Sequence, residues 1–87
     1  MSWEDVSYVI ASRTRKAILL KLDSPRTPTF LAKDLNINLA NVSRALAELE
    51  DRGITICLTP KQRVGKIYSL TKKGKDVLGK IRKMEEK

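Results

Sequence analysis

The sequence has few of the residues that metal sites, disulfides and phosphate-binding loops require. Its 87 residues include no histidine and a single cysteine, Cys57, which excludes imidazole or multi-cysteine zinc sites and an internal disulfide. The four glycines are scattered singly and match neither the P-loop nor the dinucleotide-binding fingerprint. Cys57 lies in an apolar, β-branched segment, where we expect a buried and inert thiol. We therefore expect no metal, no cofactor and no enzymatic activity.

Long apolar runs are also missing. No stretch approaches the roughly 18 apolar residues of a membrane span, and the N-terminus lacks the basic start, apolar segment and cleavage site of a secretory signal. The single cysteine favours a reducing compartment. A chain of 87 residues corresponds to one small domain, and 41% hydrophobic with 32% charged residues is a globular balance. We expect one domain over residues 1–87, cytoplasmic and without membrane contact.

Positive charge is the first feature that points to a partner. The chain has 18 lysines and arginines against 10 acidic residues, a net charge of +8. Residues 61–83 contain nine basic residues and one acidic residue, Asp76, so this segment alone carries the net charge of the whole chain. Such a stripe attracts polyanions, because each neutralised phosphate releases condensed counterions. Nucleic acid is the leading partner class, and the alternative is a lysine-rich surface that is merely solvated.

The first half of the sequence has the periodicity of helices. Apolar residues recur at intervals of three and four over residues 3–10, with Ser2 as the predicted cap, and helical spacing resumes over residues 12–22. A threonine and proline pair then begins a short helix over residues 28–35. After a tight turn with two asparagines, a longer helix is predicted over residues 39–52. The predicted core face of this helix carries Leu39, Val42, Leu46 and Leu49.

The second half changes to the period of strands and returns to a helix. After Gly53, apolar and polar residues alternate over residues 54–59, and a second strand is predicted over residues 66–70. The polar turn between them, residues 60–65, has proline and glycine at its ends and indicates an antiparallel hairpin. The residues expected to face the core from the first strand are Ile54, Ile56 and Leu58.

A last helix is predicted over residues 71–85, capped by Thr71. Gly74 and Gly79 each weaken it by roughly 1 kcal/mol relative to alanine. Packing against other elements is therefore needed to support this helix.

The order of helices, tight turn, helix, basic hairpin and helix suits DNA binding, because the second of two helices joined by a tight turn can enter the major groove. Specific residues add to this order: Leu31-Ala32, Leu35, Asn41-Val42-Ser43-Arg44, Leu46, Leu49, Arg52-Gly53-Ile54, Gly65-Lys66-Ile67-Tyr68-Ser69-Leu70-Thr71 and Gly74. With these residues the chain resembles winged helix-turn-helix transcription regulators, in particular small archaeal and bacterial proteins related to MarR and ArsR. The resemblance implies a mainly α fold with a small antiparallel β-hairpin, its helix-turn-helix at about residues 28–52 and its wing at about 54–70.

The resemblance also implies which residues contact DNA. In such families the N-terminal half of the helix over residues 39–52 reads base edges, which makes Asn38, Ala40, Asn41, Ser43 and Arg44 the candidates here. Arg44 suits guanine, Asn41 suits adenine and Ala40 suits a thymine methyl group. The alternatives are a helix cap for Asn38 and a surface ion pair with Glu48 for Arg44.

Phosphate contacts are expected from the wing and from one helix start. The wing candidates are Lys61, Gln62, Arg63 and Lys66, with Arg63 best suited to the minor groove. Thr29, near a helix N-terminus, can offer a hydroxyl and a backbone N–H to a phosphate. The alternatives are a solvated turn for the wing and simple capping for Thr29.

A dimer is expected, because one chain offers a single recognition helix and a symmetric partner doubles the contacts. The candidate interface combines two apolar stripes on the terminal helices, and either stripe can instead complete the core of the monomer. The first stripe is Trp3, Val6, Val9 and Ile10, and the second is Val77, Leu78, Ile81 and Met84.

The sequence thus predicts a transcription regulator that binds double-stranded DNA specifically as a homodimer, in the cytoplasm with the nucleoid. Two alternatives stay open. One is a winged-helix module that docks another protein in a transcription or replication assembly. The other is sequence-independent binding of chromatin or nucleic acid through the basic stretch over residues 61–83.

Overall fold

Side-chain caps set where the helices begin. The computed structural model describes residues 3–85. Thr27 accepts a hydrogen bond from the N–H of Phe30 at 3.1 Å, and Pro28 occupies the first turn of the helix that follows. Asn36 ends that helix in a left-handed conformation, with φ of 56°. The elements in chain order are α1 (Trp3–Ile10), α2 (Arg13–Lys21), α3 (Pro28–Leu35), α4 (Leu39–Asp51), β1 (Thr55–Cys57), β2 (Tyr68–Leu70) and α5 (Lys72–Glu85). The cap predicted at Ser2 lies outside the described residues.

The core forms where all five helices and the base of the hairpin meet. Helix α4 packs against α2, α3 and β1, while α5 packs against α1, α2 and β2. The largest side chains in the core belong to Ile18, Leu19, Leu31, Leu46, Leu49, Ile54 and Ile81. This arrangement of helices followed by a hairpin and a last helix is the winged helix-turn-helix fold that the sequence predicts.

The two apolar stripes on the terminal helices contribute mostly to this core. Val6, Val77, Leu78 and Ile81 are buried within the protomer, as is Val9, so the prediction of these residues as a dimer interface is wrong. The physical reason is that α1 and α5 pack against each other and against α2, which uses the apolar face of each. The stripe residues that stay exposed are Trp3, Ile10 and Met84.

The hairpin is shorter than its sequence pattern predicts. Its antiparallel register pairs Thr55 with Leu70 and Cys57 with Tyr68. Ile54 is buried but precedes the strand, since its N–H bonds to the carbonyl of Leu49 at the end of α4. The alternation of buried and exposed side chains therefore begins at Thr55, one residue later than the sequence pattern predicts. The outcome is a buried Thr55, exposed Ile56 and Leu58, and a half-buried Cys57, which corrects the predicted inward face of this strand and the predicted burial of its thiol.

The segment before α3 is tied to the base of the wing. Arg26 and Tyr68 exchange two backbone hydrogen bonds, with N···O distances of 3.0 and 2.8 Å. This bridge extends the hairpin by one pair of residues on the side of β2. Because α3 begins two residues later, the bridge fixes the start of α3 beside the wing.

A close approach at Gly74 joins α5 to the start of the hairpin. Thr71 caps α5 by accepting from the N–H of Gly74 at 3.0 Å, and its hydroxyl donates to the carbonyl of Gly53 at 2.6 Å. The N–H of Thr71 bonds to the carbonyl of Ile54 at 3.1 Å. A Cβ at Gly74 would overlap that same carbonyl oxygen and lie 3.2 Å from Cβ of Leu70. Only glycine fits at position 74, where α5 passes close to Ile54 and Leu70 of the hairpin.

Candidate nucleic-acid interface

Helix α4 presents a polar face on the side opposite the core. Val42, Ala45, Leu46 and Leu49 are buried against the neighbouring elements. The candidate base-reading residues Ala40, Asn41, Ser43 and Arg44 are all exposed. Asn38 is exposed too, and its side chain caps the helix by accepting from the N–H of Ala40 at 2.8 Å. The capping alternative for Asn38 is therefore present in the structure.

A stacked group of side chains holds α4 against the first two helices. The guanidinium of Arg15 lies 3.9 Å from the centre of the Tyr8 ring, and its Nε donates to the Tyr8 carbonyl at 2.9 Å. The same guanidinium lies 3.6 Å from a carboxylate oxygen of Glu48 on α4. Arg52, at the end of α4, lies 4.1 Å from the centre of the Tyr8 ring. From α1, Tyr8 thus contacts two arginines beside the C-terminal half of α4: Arg15, which pairs with Glu48, and Arg52, which lies at the end of the helix.

This group changes the electrostatics of the recognition helix. The alternative for Arg44 was an ion pair with Glu48, but Glu48 pairs with Arg15. Within residues 3–85, Arg44 makes no ion pair. Its charge is therefore not offset by a neighbouring carboxylate, whereas the charge of Glu48 is.

A groove of about 400 Å³ lies between the start of α3, helix α4 and the wing. It brings together four predicted site residues from three parts of the chain. Its lining consists of Thr27, Pro28, Thr29, Leu39, Ser43, Arg63, Val64, Gly65, Lys66 and Tyr68. This lining contains two cationic side chains and no carboxylate, so the groove attracts anions.

A second groove, of about 220 Å³, lies between the start of α2 and the middle of α4. Asn41 and Arg44 line it together with Ser12 and Thr14. Glu48 is the acidic group at this groove, and Arg15 pairs with it. Of the predicted base-reading residues, Ser43 lines the first groove, Asn41 and Arg44 line the second, and Asn38 and Ala40 line neither.

Other predicted site residues line neither groove. Ala40 lies on the exposed face at the start of α4. Lys61 and Gln62 are exposed at the start of the turn in the wing, where the N–H of Gln62 bonds to the carbonyl of Thr59 at 3.1 Å. They are accessible, and the structure does not bring them together with the other candidates.

Two apolar residues of the first groove are not among the predicted site residues. Leu39 is 48% exposed, so its predicted place in the core is wrong. It is the first residue of α4, so no preceding turn of the helix covers it, and it lines the groove beside the start of α3 and the wing. Val64 is 88% exposed at the tip of the wing. The signal in the sequence is the position of each: one directly follows the capping asparagine, and the other is an apolar residue within a polar turn.

The basic stretch over residues 61–83 is divided between the wing and α5. Arg63 and Lys66 of the wing line the first groove, and several cations of α5 have partners within the chain. Lys73 lies 3.3 Å from the buried carboxylate of Asp5, and Arg82 lies 3.6 Å from the exposed carboxylate of Asp23. Lys80 stacks on the Trp3 ring at 5.1 Å. Part of the excess charge of α5 therefore stabilises the fold, and the wing carries the charge available at the groove.

Tyr68 connects the first groove to the strand pair beneath it. Burial raises the pKa of its hydroxyl above the usual value of 10.0, and the neighbouring Cys57 and Glu50 act in the same direction.

Comparison with known proteins identifies the relatives of this fold. The model of the HVO_A0261 N-terminal domain family matches residues 3–87. ZitR of Lactococcus lactis is 29% identical, with a TM-score of 0.73 over 83% of this chain and 51% of its own. A MarR family transcription regulator is 26% identical, with a TM-score of 0.77 over 94% of this chain and 56% of its own. The transcriptional repressor CouR, in a structure bound to a 23-mer DNA duplex, is 32% identical, with a TM-score of 0.75 over 93% of this chain and 62% of its own.

The chain thus spans about half to three-fifths of the length of these structures. The resemblance to MarR-type winged-helix regulators is confirmed. Among curated proteins no sequence matches the chain. None of the helices within residues 3–85 has the length and apolar character needed to cross a membrane. The same residues hold no cluster of acidic or cysteine side chains that suits a metal ion.

Proposed function

Because the chain belongs to the HVO_A0261 N-terminal domain family, we propose that it is a transcription regulator that binds double-stranded DNA specifically, as a homodimer. One observation carries the proposal. The exposed face of α4 and the cations of the wing meet at a groove whose lining includes Arg63 and Lys66 and no carboxylate. The relative CouR, with 32% identity to this chain, has a structure bound to a 23-mer DNA duplex, which supports DNA binding by this chain.

The recognition helix enters the major groove by its N-terminal end. Arg44, which pairs with no carboxylate within residues 3–85, forms bidentate hydrogen bonds with guanine, and Asn41 forms them with adenine. The acidic residues Glu50 and Asp51 lie at the other end of α4 and are exposed. Insertion by the N-terminal end keeps these two carboxylates away from the phosphates.

The wing and the start of α3 contact the DNA backbone. Lys61, Gln62, Arg63 and Lys66 bind phosphate, and Arg63 reaches the minor groove, where a narrow groove concentrates negative potential. Thr29 offers its hydroxyl to a phosphate from the first turn of α3. These contacts supply affinity and orientation, while α4 supplies most of the sequence preference.

The homodimer uses the apolar side chains that the terminal helices leave exposed. Trp3 and Ile10 on α1 and Met84 on α5 are accessible in the protomer. Two protomers related by a two-fold axis would place two copies of α4 on half-sites about one helical turn apart, roughly 10 base pairs. Sedimentation velocity of the wild type and of a Trp3→Ala variant tests this interface, with a dimer expected for the wild type and a weakened dimer for the variant.

Fluorescence anisotropy tests the DNA-binding proposal. The protein is titrated with a pool of random duplexes and with matched single strands over a range of salt concentrations, and the duplexes that bind most tightly are sequenced. We expect enrichment of a two-fold motif. Arg44→Ala should then weaken binding to the selected duplex roughly tenfold to a hundredfold for each half-site, because each protomer loses one bidentate base contact. Lys83→Ala removes the same charge from α5 and is the matched control, with little effect expected.

The remaining outcomes contradict the proposal in different ways. Binding with a steep salt dependence and no enriched sequence would indicate sequence-independent coating of nucleic acid. In that case Arg44→Ala would weaken binding to all nucleic acids slightly. No binding at low salt would indicate a module that docks another protein, which Arg44→Ala would leave intact. The proposal includes no catalytic step, metal or cofactor, and it implies a cytoplasmic protein associated with the nucleoid.

A further inference from the structure

The first helical residue of α4 is an exposed leucine at the groove. Leu39 is 48% exposed, whereas Val42 and Leu46 on the same helical face are fully buried. In an α-helix each Cα–Cβ bond tilts toward the N-terminus. The side chain of Leu39 therefore extends past the end of α4 that enters the major groove under the proposed function.

The surroundings of Leu39 define what can cover it. Ser43 follows one turn later on α4 and lines the same groove, and Arg63 and Lys66 line it from the wing. A protein partner with an acidic surface would satisfy the cations but leave the leucine against charged groups. In the major groove of DNA, the apolar group on a base edge is the C5-methyl of thymine. A duplex therefore offers both a polyanionic backbone for the cations and an apolar partner for the leucine.

We propose that Leu39 determines specificity by packing against the C5-methyl group of a thymine in each half-site. The inference rests on the proposed function, because it needs the N-terminal end of α4 in the major groove. It names a preferred base at one position, which the hydrogen-bonding residues of α4 do not supply. Removal of one buried methyl group weakens binding about fourfold.

Deletion of single methyl groups from the DNA tests this contact. Wild-type protein first selects a duplex from a random pool, and each thymine of a half-site is then replaced in turn by deoxyuridine, which lacks only the methyl group. We expect one thymine per half-site at which this replacement weakens binding about fourfold. In a duplex with cytosine at that position, 5-methylcytosine should bind more tightly than cytosine by a similar factor.

Two protein variants assign the contact to its residue. Leu39→Ala should bind the selected duplex less tightly and should no longer distinguish thymine from deoxyuridine at that position. Ile56→Ala is the matched control, because Ile56 is 45% exposed and does not line the groove. It should keep the affinity and the discrimination of the wild type. Thermal unfolding of both variants checks that each is folded at the temperature of the titration.

The outcomes separate this inference from the function on which it rests. A selected duplex with no position sensitive to the methyl group overturns the role of Leu39 and leaves specific DNA binding in place. A Leu39→Ala variant that discriminates thymine from deoxyuridine as well as the wild type does the same. Failure of the wild type to select any sequence overturns both.

Discussion

Two glycines on α5 should respond to the same substitution with opposite changes in stability. Gly74 and Gly79 lie five residues apart in one helix, and alanine favours a helix interior over glycine by about 1 kcal/mol at either position. At Gly79 nothing lies within 4 Å of an added Cβ, so Gly79→Ala should gain this amount. At Gly74 the added Cβ would overlap the carbonyl oxygen of Ile54, closer than side chains tolerate.

The cost at Gly74 follows from the groups that meet there. Overpacking of this kind costs about 1 to 3 kcal/mol. Relief requires the carbonyl of Ile54 to move away from α5, which lengthens its hydrogen bond from the N–H of Thr71, now 3.1 Å, at a cost of about 1 kcal/mol. After the gain in helix propensity, Gly74→Ala should lose about 1 to 3 kcal/mol of its free energy of unfolding.

Urea unfolding followed by circular dichroism measures both changes. With an m-value of about 1 kcal/mol per molar for a domain of this size, the midpoint should fall by about 1 to 3 M for Gly74→Ala. It should rise by about 1 M for Gly79→Ala. Equal shifts for the two variants, or a stable Gly74→Ala, would refute the close approach of α5 to the hairpin.

Three further variants test other parts of the fold. Thr55→Val keeps the buried volume but removes the hydroxyl that donates to the carbonyl of Leu46 at 3.2 Å; urea unfolding should show a loss of about 1 kcal/mol, and an unchanged midpoint would contradict this bond. Asp5→Ala removes the carboxylate that links α1 to the cations at the end of α4 and the start of α5. Because Arg52 and Lys73 reach solvent, the free energy of unfolding should fall by about 1 kcal/mol. A loss of several kcal/mol would contradict this reasoning, because it would mean that the two cations are left without solvation when Asp5 is removed. The pKa of Tyr68 is raised above 10.0 in the folded state, so folding is favoured while its hydroxyl is neutral. This contribution to the free energy of unfolding is fully present below pH 10.0. It is lost as the pH rises through the pKa of Tyr68 in the folded state. The free energy of unfolding of the wild type should therefore fall more steeply above pH 10.0 than that of Tyr68→Phe, and parallel curves would contradict the shift.

The helices were predictable because the signals that define them are local. The threonine and proline pair that starts α3 and the asparagine that caps α4 each act within three residues of their own position. The amphipathic spacing of α4 likewise identifies Val42, Leu46 and Leu49 as core residues. No other part of the chain needs to be known for these predictions.

The errors arise where burial depends on a distant element. Periodicity assigns Leu39 to the core face, but at the start of α4 the start of α3 and the wing leave it 48% exposed at the groove. Ile54 is buried as alternation predicts, but it belongs to the turn after α4, so Ile56 falls on the solvent side of the strand. In the terminal helices the apolar stripes are real. Whether such a stripe packs within its own chain or against a second chain depends on tertiary contacts that periodicity does not contain.

The candidate site divides in the same way. The fold resemblance located the polar face of α4 and the cations of the wing, because both are read from short segments. It did not separate the cations that bind Asp5 and Asp23 from those that face the groove, because these partners are over 50 residues away in sequence. Nor did it reveal that Arg15, rather than Arg44, pairs with Glu48.

The bridge between Arg26 and Tyr68 gives the wing two parts under different evolutionary constraints. At the base, Tyr68 and Leu70 contribute to the strand pair and the core, so substitutions there cost folding free energy. At the tip, residues 61–65 are exposed and contribute nothing to the core. Under the proposed function, mutations in codons 61–64 can change the charge and shape offered to DNA without loss of core packing, whereas Gly65, with φ of 73°, favours glycine. After gene duplication, a protein built this way can acquire a new target site while it inherits its core unchanged.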